Sequence, residues 1–391
     1  HVSQLLQNRN MFEQKKIGVY KKAVSALYQI PRTAAVTAVS LLLIVVMFFT
    51  GFGLFSRKPN PVDFELKGRY LIIKDDTGET LWSHDFGGRV NRAKFLQNTE
   101  QRAIRFADLD GNGRNEVLFG TIKPEDTDMS GRVFCFSESG DIMWQYRTGR
   151  ALQYKEERFL NRYNVFGIYV DSLFTGREPH ILVEAGQNPY FPSVLTLLNS
   201  RGEAVGEFWN SGRFHRVKFR DLDGDGIREI IAGGENNETR GAVLAILDPR
   251  HMRGGSPQDP DTEYYSPELE PGTEKYYLRF PPSPLKKLKW SDVLDYITVR
   301  DSSFDCGIYN RGMYNLEKPL RDCGMYFYRF NFRMEPVYIE YVDNFHNAYF
   351  DRFGRLPGEE LKKQLMRIQY WDGEQWCDEP VMNRYWRELN K

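Results

Sequence analysis

Residues 33–56, TAAVTAVSLLLIVVMFFTGFGLFS, run for 24 positions without one charged side chain. As a helix this run is roughly 36 Å long, enough to cross a hydrocarbon core of ~30 Å with some tilt. Upstream, Tyr20, Val24, Leu27 and Tyr28 recur at helical spacing beside Lys21 and Lys22. That stripe fits an interfacial helix, a dock for a partner, or the end of a longer helix entering a membrane. Downstream the period shortens to two. YLIIKDDTGETLW (70–82), VFCFSESGDIMW (133–144) and VLTLLNSRGEAVG (194–206) each read as strand, polar turn and second strand. Their turn glycines, Gly78, Gly140 and Gly202, are 62 residues apart each time, and Trp82 and Trp144 fall four residues past the first two.

A second unit alternates with these hairpins: FADLDGNGRNEVLFG (106–120), YVDSLFTGREPHILVEAG (169–186) and FRDLDGDGIREIIAGG (219–234). A further hairpin begins at GAVLAILDPR (241–250) and then leaves the pattern. Repeats of this length, each holding about four strands, cannot bury both faces alone and pack side by side around an axis. The expected fold class is all-β: β-propeller-like repeats of antiparallel sheets, preceded by a single N-terminal transmembrane helix. The domain plan is a basic segment at 1–32, the transmembrane helix at 33–56, a linker at 57–67 and the propeller over 68–391. Seven prolines between Pro257 and Pro284 predict an extended excursion over about 251–289. MYFYRFNFRMEPVYIEYVD (325–343) and LMRIQYWDGEQW (365–376) read as strands, the second with an Asp-Gly turn. Pro357 to Arg367 fits a short amphipathic helix with Leu361, Leu365 and Ile368 inward. This divergent part completes the last blade or blades, or else forms a small separate domain.

The recurring second unit carries the chemistry. In its first copy Asp108, Asp110 and Asn112 stand at alternate positions, Gly113 is sixth, Arg114 offers a carbonyl at the seventh, and Glu116 is ninth. In the third copy the set is Asp221, Asp223, Asp225, Gly226, the Ile227 carbonyl and Glu229. Oxygen side chains at every second residue of a tight loop converge on one point, and glycine allows the sharp reversal. Such a loop suits a hard divalent cation with six or more oxygen ligands, Ca²⁺ above all. It is not an EF-hand, because position twelve is Phe119 or Ala232 and strands flank the loop. Two Ca²⁺ sites are therefore expected, the tighter at Asp221 by count of carboxylates. The middle copy keeps Asp171 but has Leu173 and Thr175 at the next two ligand positions, so it is expected to be metal-free.

The paired DLDGNG and DLDGDG loops, each followed by a short apolar strand ending in glycine, resemble the FG-GAP/VCBS repeats of integrin-α-type propellers over roughly residues 68–250. The resemblance implies Ca²⁺ held between propeller strands in a structural role. DDTGETLW also resembles the blade signature of pyrroloquinoline-quinone propellers, a family with both dehydrogenases and non-catalytic scaffolds.

Composition narrows the functional classes. Lys+Arg and Asp+Glu both number 53, so no global basic field exists to hold a nucleic-acid backbone. The zero sum hides an asymmetry: residues 1–32 carry six basic side chains and one acid, a net +5. That flank places the N-terminus on the cytoplasmic side and the bulk of the chain on the exported side, although Arg57 and Lys58 blunt the contrast. The long polar stretch before residue 33 and the lack of a small-x-small site after 56 argue against a cleaved signal peptide. The five internal histidines are scattered, and no nucleophile elbow, phosphate loop or CxxC pair occurs. His215 fits a packed strand position, and Cys135 a buried one. Cys306 and Cys323 lie in sequence read as loop, where a disulfide and two free thiols are both open readings.

These features describe a non-enzymatic, membrane-anchored exported Ca²⁺ module whose partners are the lipid bilayer and other proteins of a membrane or cell-surface complex, acting as a scaffold, adhesion or accessory subunit. The alternative is a single-pass receptor with an external ligand-binding propeller; a quinone-dependent dehydrogenase has less support. The topology predicts that protease added outside intact cells removes residues 68–391 and spares the first 32, once any outer membrane has been opened. Protection of the C-terminal part in sealed right-side-out membranes overturns that orientation.

Overall fold

The computed structural model describes residues 37, 39–42, 59–88, 103–121, 129–176, 178–187, 191–286, 292–310 and 324–391. Two compact units separate at Pro59. In the first, Thr37 and residues 39–42 are helical with Val39, Leu41 and Leu42 exposed. The rest of the expected span at 33–56 and the stripe at Tyr20–Tyr28 lie outside the described residues. Among the described residues no helix is long and apolar enough to cross a membrane.

The second unit, Asn60–Lys391, is all-β with a few short helices. Its chain builds one antiparallel sheet after another, each a simple up-and-down meander. The first is β1 (Asp63–Lys67), β2 (Tyr70–Lys74) and β3 (Thr80–Asp85). The second is β4 (Ile104–Ala107), β5 (Glu116–Gly120), β6 (Arg132–Phe136) and β7 (Ile142–Arg147). A small hairpin, β8 (Leu152–Gln153) with β9 (Arg158–Phe159), precedes the third: β10 (Asn164–Asp171), β11 (His180–Gly186), β12 (Ser193–Leu198) and β13 (Ala204–Asn210). The fourth begins with β14 (Gly212–Arg220), β15 (Glu229–Asn236), β16 (Gly241–Leu247) and β17 (Tyr276–Arg279). The fifth is β18 (Asp292–Val299), β19 (Ser303–Asn310), β20 (Tyr326–Asn331) and β21 (Pro336–Tyr341).

Central strands are covered on both faces, which is why they read as unbroken apolar runs instead of alternating ones. Every residue of β12, β15 and β16 is buried, whereas β7 is mostly exposed or half-buried. One core joins Leu71 and Ile73 of the first sheet to Val117 and Val133 of the second and Val165 and Val183 of the third. A second joins Leu195 and Leu197 to Ile230 and Val243 across the third and fourth sheets. A third joins Ile231 and Leu244 of the fourth sheet to Leu294 and Ile308 of the fifth. Among the described residues no core cluster links the fifth sheet back to the first.

The 62-residue period has a mechanical basis. The Trp82 indole donates to the Glu138 carbonyl at 3.1 Å, and the Trp144 indole donates to the Ser200 carbonyl at 3.1 Å. Each tryptophan therefore reaches from the last strand of one sheet onto the hairpin turn of the next. A Cβ on Gly140 would lie 2.8 Å from the Trp82 ring, and one on Gly202 would lie 2.4 Å from the Trp144 ring. Both glycines also have positive φ. The period thus records both a turn and the bare surface on which the preceding indole lies.

Several expectations need correction. The segment read as a linker at 57–67 contains β1, because Asp63–Lys67 pairs in full register with β2. The fourth sheet continues past its own meander: after the fifth sheet the chain returns as β22 (Gln369–Trp371) and β23 (Trp376–Cys377), and Leu278 pairs with Tyr370. The excursion expected to reach residue 289 ends at Lys275, since β17 follows it. A hairpin equivalent to the earlier three lies at 331–335, where Asn331 Oδ1 accepts the Arg333 and Glu335 N–H groups as Asn199 Oδ1 accepts those of Arg201 and Glu203. Met334 occupies its glycine position at φ 64°, so the repeat carried no glycine to reveal it. Cys306 lies in β19, wholly buried with a free thiol, and not in a loop. Cys323 is outside the described residues. Helix α1 (Asp343–Phe353) was not foreseen; α2 (Glu359–Leu365) is the expected short helix, with Leu361 and Leu365 buried. Helix α3 (Arg384–Leu389) closes the chain and is fixed by Asn383, whose amide donates to the Gly272 carbonyl and to Glu274.

The turn glycines give a differential prediction. Gly78→Ala meets open space and should cost only the left-handed strain, about 1–2 kcal/mol. Gly202→Ala adds a clash with Trp144 and should cost about 1–3 kcal/mol more, by the usual penalty for overpacking. Urea or thermal midpoints of the two variants measure the difference; equal losses would remove the tryptophan contact as the reason for the period.

Candidate metal centre

The first Asp loop joins β4 to β5 and the third joins β14 to β15, the same place in the second and fourth sheets. Their local bonding is alike atom for atom. Asp108 accepts the Gly111 and Gly113 N–H groups at 2.8 Å each; Asp221 accepts those of Gly224 and Gly226 at 2.7 and 3.0 Å. Asp110 accepts the Asn112 N–H, and Asp223 accepts that of Asp225. Asn112 accepts the Arg114 N–H at 2.7 Å, and Asp225 accepts that of Ile227 at 2.8 Å. The ninth-position glutamates reach back to the second residue of the loop: Glu116 Oε2 accepts the Leu109 N–H at 2.7 Å, and Glu229 Oε2 accepts the Leu222 N–H at 2.9 Å. These bonds need a backbone that turns twice within four residues, and glycines at positive φ supply it at 111, 113, 224 and 226.

The loops part company at the remaining oxygens. In the first, carboxylate oxygens of Asp108, Asp110 and Glu116 lie within 4.8 Å of one another. Glu116 is wholly buried and its Oε1 has no hydrogen-bond partner. Burial raises its pKa above the usual glutamate range, and repulsion from Asp110 and Asp108 adds to the shift. Asn112 turns its amide to Asp110 Oδ2 at 3.1 Å, and the Arg114 guanidinium turns away to Glu138 at 2.9 Å. Three clustered carboxylates, one with an oxygen lacking any donor, remain at this loop.

In the third loop Asp221, Asp223 and Asp225 gather within 4.8 Å, but Glu229 is not part of that group. Its Oε1 is taken by the Lys275 ammonium at 2.6 Å, which also bonds Asp223 Oδ2 at 2.6 Å. Burial would raise the Asp223 carboxyl, and Lys275 more than offsets it, holding the pKa below the ordinary value. Burial likewise works against the ammonium, and its two carboxylate partners hold its pKa above the lysine norm. Arg250 lies 3.1 Å from Asp225 and is clamped by Asp248. Of the up to four carboxylates expected around one cation, three gather here and Glu229 is drawn to Lys275. Lys275 and Arg250 escaped the sequence reading because they belong to the excursion after β16 and contact the loop only through the fold.

The middle copy is used differently. Asp171 pairs with Arg228 of the third loop, and the Thr175 hydroxyl donates to the Gly226 carbonyl at 2.8 Å. Phe174 makes a single antiparallel bridge to Ile227, so the ligandless loop acts as a strut for the third. His215, expected as a packed strand residue, is buried on β14 with Nε2 3.4 Å from Glu235. Cys135 is buried on β6.

No family model matches the chain, and no curated protein matches it in sequence. Solved structures with some likeness include a protein of unknown function from Bacteroides caccae, 12% identical, covering 73% of this chain and 96% of that one at a TM-score of 0.29. A rhamnogalacturonan lyase from Bacillus licheniformis is 17% identical over 57% of this chain and 42% of its own, at 0.32. The V. cholerae biofilm matrix protein Bap1 is 12% identical over 73% and 57%, at 0.25. Scores at this level transfer neither architecture nor activity.

The orphan oxygen of Glu116 gives a prediction. Glu116→Gln keeps an acceptor for Leu109 and removes the buried charge, so it should raise the melting temperature in chelator by about 2 °C or more, as ~1 kcal/mol does in a domain of this size. In millimolar Ca²⁺ the advantage should vanish or reverse. A variant less stable than the parent in chelator would show that repulsion does not strain the empty loop.

Proposed function

We propose that this chain is a Ca²⁺-braced, propeller-type binding module, exported on an N-terminal membrane anchor and acting through protein–protein contacts as a scaffold, adhesion or accessory subunit. The observation that carries the reading is the pair of Asp loops, alike in their backbone bonding at equivalent places in two sheets, one of which leaves Glu116 Oε1 without a donor. A divalent ion there would offset two of the three charges carried by Asp108, Asp110 and Glu116. Ca²⁺ fits better than Mg²⁺, which demands stricter octahedral geometry and sheds water reluctantly.

The meander sheets, the first two of which hand an indole to the next turn, favour blades set around an axis, with their loops on the rims as contact surfaces. The uncharged span and the +5 flank of residues 1–32 support the anchor and its direction. In this reading the ion is structural: it braces loops that connect blades and does no chemistry. The partners are the bilayer and a protein of the same membrane or cell-surface assembly.

Exported sites of this kind bind with dissociation constants on the order of 10⁻⁴–10⁻³ M. A tenfold excess of Ca²⁺ over such a constant adds ~1.4 kcal/mol per site. Chelation should therefore lower the melting temperature without unfolding the protein at room temperature, and Ca²⁺ should restore it better than Mg²⁺. Calorimetry that detects no ion in millimolar Ca²⁺ ends the metal reading. Recovery of the chain alone from gently solubilised native membranes, with no co-purifying protein, counts against the scaffold role.

A further inference from the structure

We infer that the loop at Asp221 carries its own cation: the Lys275 ammonium fills the place that a divalent ion takes at the loop of Asp108, so the chain binds one such ion and not two. The inference rests on the reading of the Asp loops as cation sites and reverses the order that carboxylate count suggests.

The backbone N–H bonds of the two loops correspond one to one. Glu116 and Glu229 both give Oε2 to the N–H seven residues back. Their other oxygens differ: Glu116 Oε1 is buried and unpartnered, and Glu229 Oε1 accepts Lys275 Nζ at 2.6 Å. At the third position, Asp110 Oδ2 meets only a neutral amide from Asn112, and Asp223 Oδ2 accepts the same ammonium at 2.6 Å. Lys275 thus bridges the third and ninth positions, the two that a bound ion would join across the loop.

The ammonium is built in. Lys275 is 3% exposed, stands at the head of β17, and donates its N–H to the Ile246 carbonyl at 2.8 Å. Its own carbonyl accepts the Asn383 N–H at 3.1 Å, and Nζ lies 5.1 Å from the centre of the Trp386 ring. Trp386 is itself fixed by its indole bond to Asp248. Withdrawing the side chain would require the strand head and the C-terminal segment to move together. A divalent ion on Asp223 would face this ammonium at short range, with Arg250 beside Asp225 as a second repelling charge. Among the described residues no ammonium is bonded to the first loop's carboxylates, and the Arg114 guanidinium bonds Glu138.

Isothermal titration of the chain over residues 1–391 in detergent with CaCl₂ reads the stoichiometry. One ion per chain is expected, with Glu116→Gln abolishing or weakening the binding at least tenfold. Lys275→Met, which keeps the stem and removes the charge, should raise the count to two. Asp223→Asn in the otherwise unchanged chain should leave the count at one and the affinity within about twofold, since by this account its carboxylate holds the lysine and not the ion. Two ions in the parent chain, or loss of the single ion in Asp223→Asn, overturns the inference. So does a folded Lys275→Met that still binds one. If Lys275→Met folds only with Ca²⁺ present, the ion has replaced the ammonium and the inference stands; if it does not fold at all, Asp223→Asn decides. No ion in the parent but one in Lys275→Met would sink the structural-Ca²⁺ reading of the first loop and uphold the role of Lys275. No ion in either sinks both.

Discussion

A glutamate buried at the head of the second strand, with one oxygen spoken for and the other in need of positive charge, is the constraint around which both Asp loops are organised. Glu116 and Glu229 open β5 and β15 and are 0% and 1% exposed. One oxygen of each closes the loop by accepting a backbone N–H. That bond is useful only if the carboxylate stays in place, and a buried carboxylate stays charged only when a counter-charge compensates for its lost hydration. The aspartates of the same loop make the need greater. Lys275 meets it at Glu229, and a divalent ion is the proposed answer at Glu116.

The loops matter beyond themselves because each is a junction between sheets. Arg114 leaves the first loop to pair with Glu138 at 2.9 Å, and the carbonyl of that same glutamate receives the Trp82 indole. Asn115 takes Asn60 Oδ1 on its N–H at 2.7 Å and donates its side-chain amide to the Pro61 carbonyl. The first loop thereby holds the start of the compact unit, the first sheet and the second in one bonded group. The third loop gathers as much: Arg228 pairs with Asp171 of the third sheet, and Lys275 ties in the head of β17. A change of charge state at either loop is transmitted as a change in how neighbouring sheets are held.

Much of this was legible in sequence, for a physical reason. Hairpin turns, glycines at positive φ and oxygen ligands at alternate positions are local devices, so they leave local marks. The 62-residue period is legible because a contact across 56 residues recurs: an indole that rests on the next turn forbids a Cβ there each time. What escaped is what the fold brings together from afar. Lys275 meets Asp223 across 52 residues and Glu229 across 46, and no spacing rule links them. The return of β22 to the edge of β17 is decided by an open strand edge, not by the residues around Gln369. Met334 shows the opposite failure: the turn persisted while its marker residue did not. Cys306 read as loop because Gly307 and Asn310 flank it, yet Gly307 is the place where Phe327 and Tyr296 crowd the strand.

An ammonium and a bound ion are unequal solutions to the same electrostatic problem. The ammonium is covalently part of the chain, so its effective concentration does not depend on the surroundings. It sits where the 248–275 excursion, β17 and the C-terminal segment converge, a region with many long connections to hold. Asn383 and Trp386 fix that convergence through Glu274 and Asp248. An ion is present only in proportion to its activity in the medium, and it leaves when that activity falls. On the proposed division the junction of the third and fourth sheets is held by a built-in charge, and the junction of Asn60, the first sheet and the second by an ion that can leave. That asymmetry rests on Lys275, with Arg250 beside it, because the backbone N–H bonds of the two loops are the same.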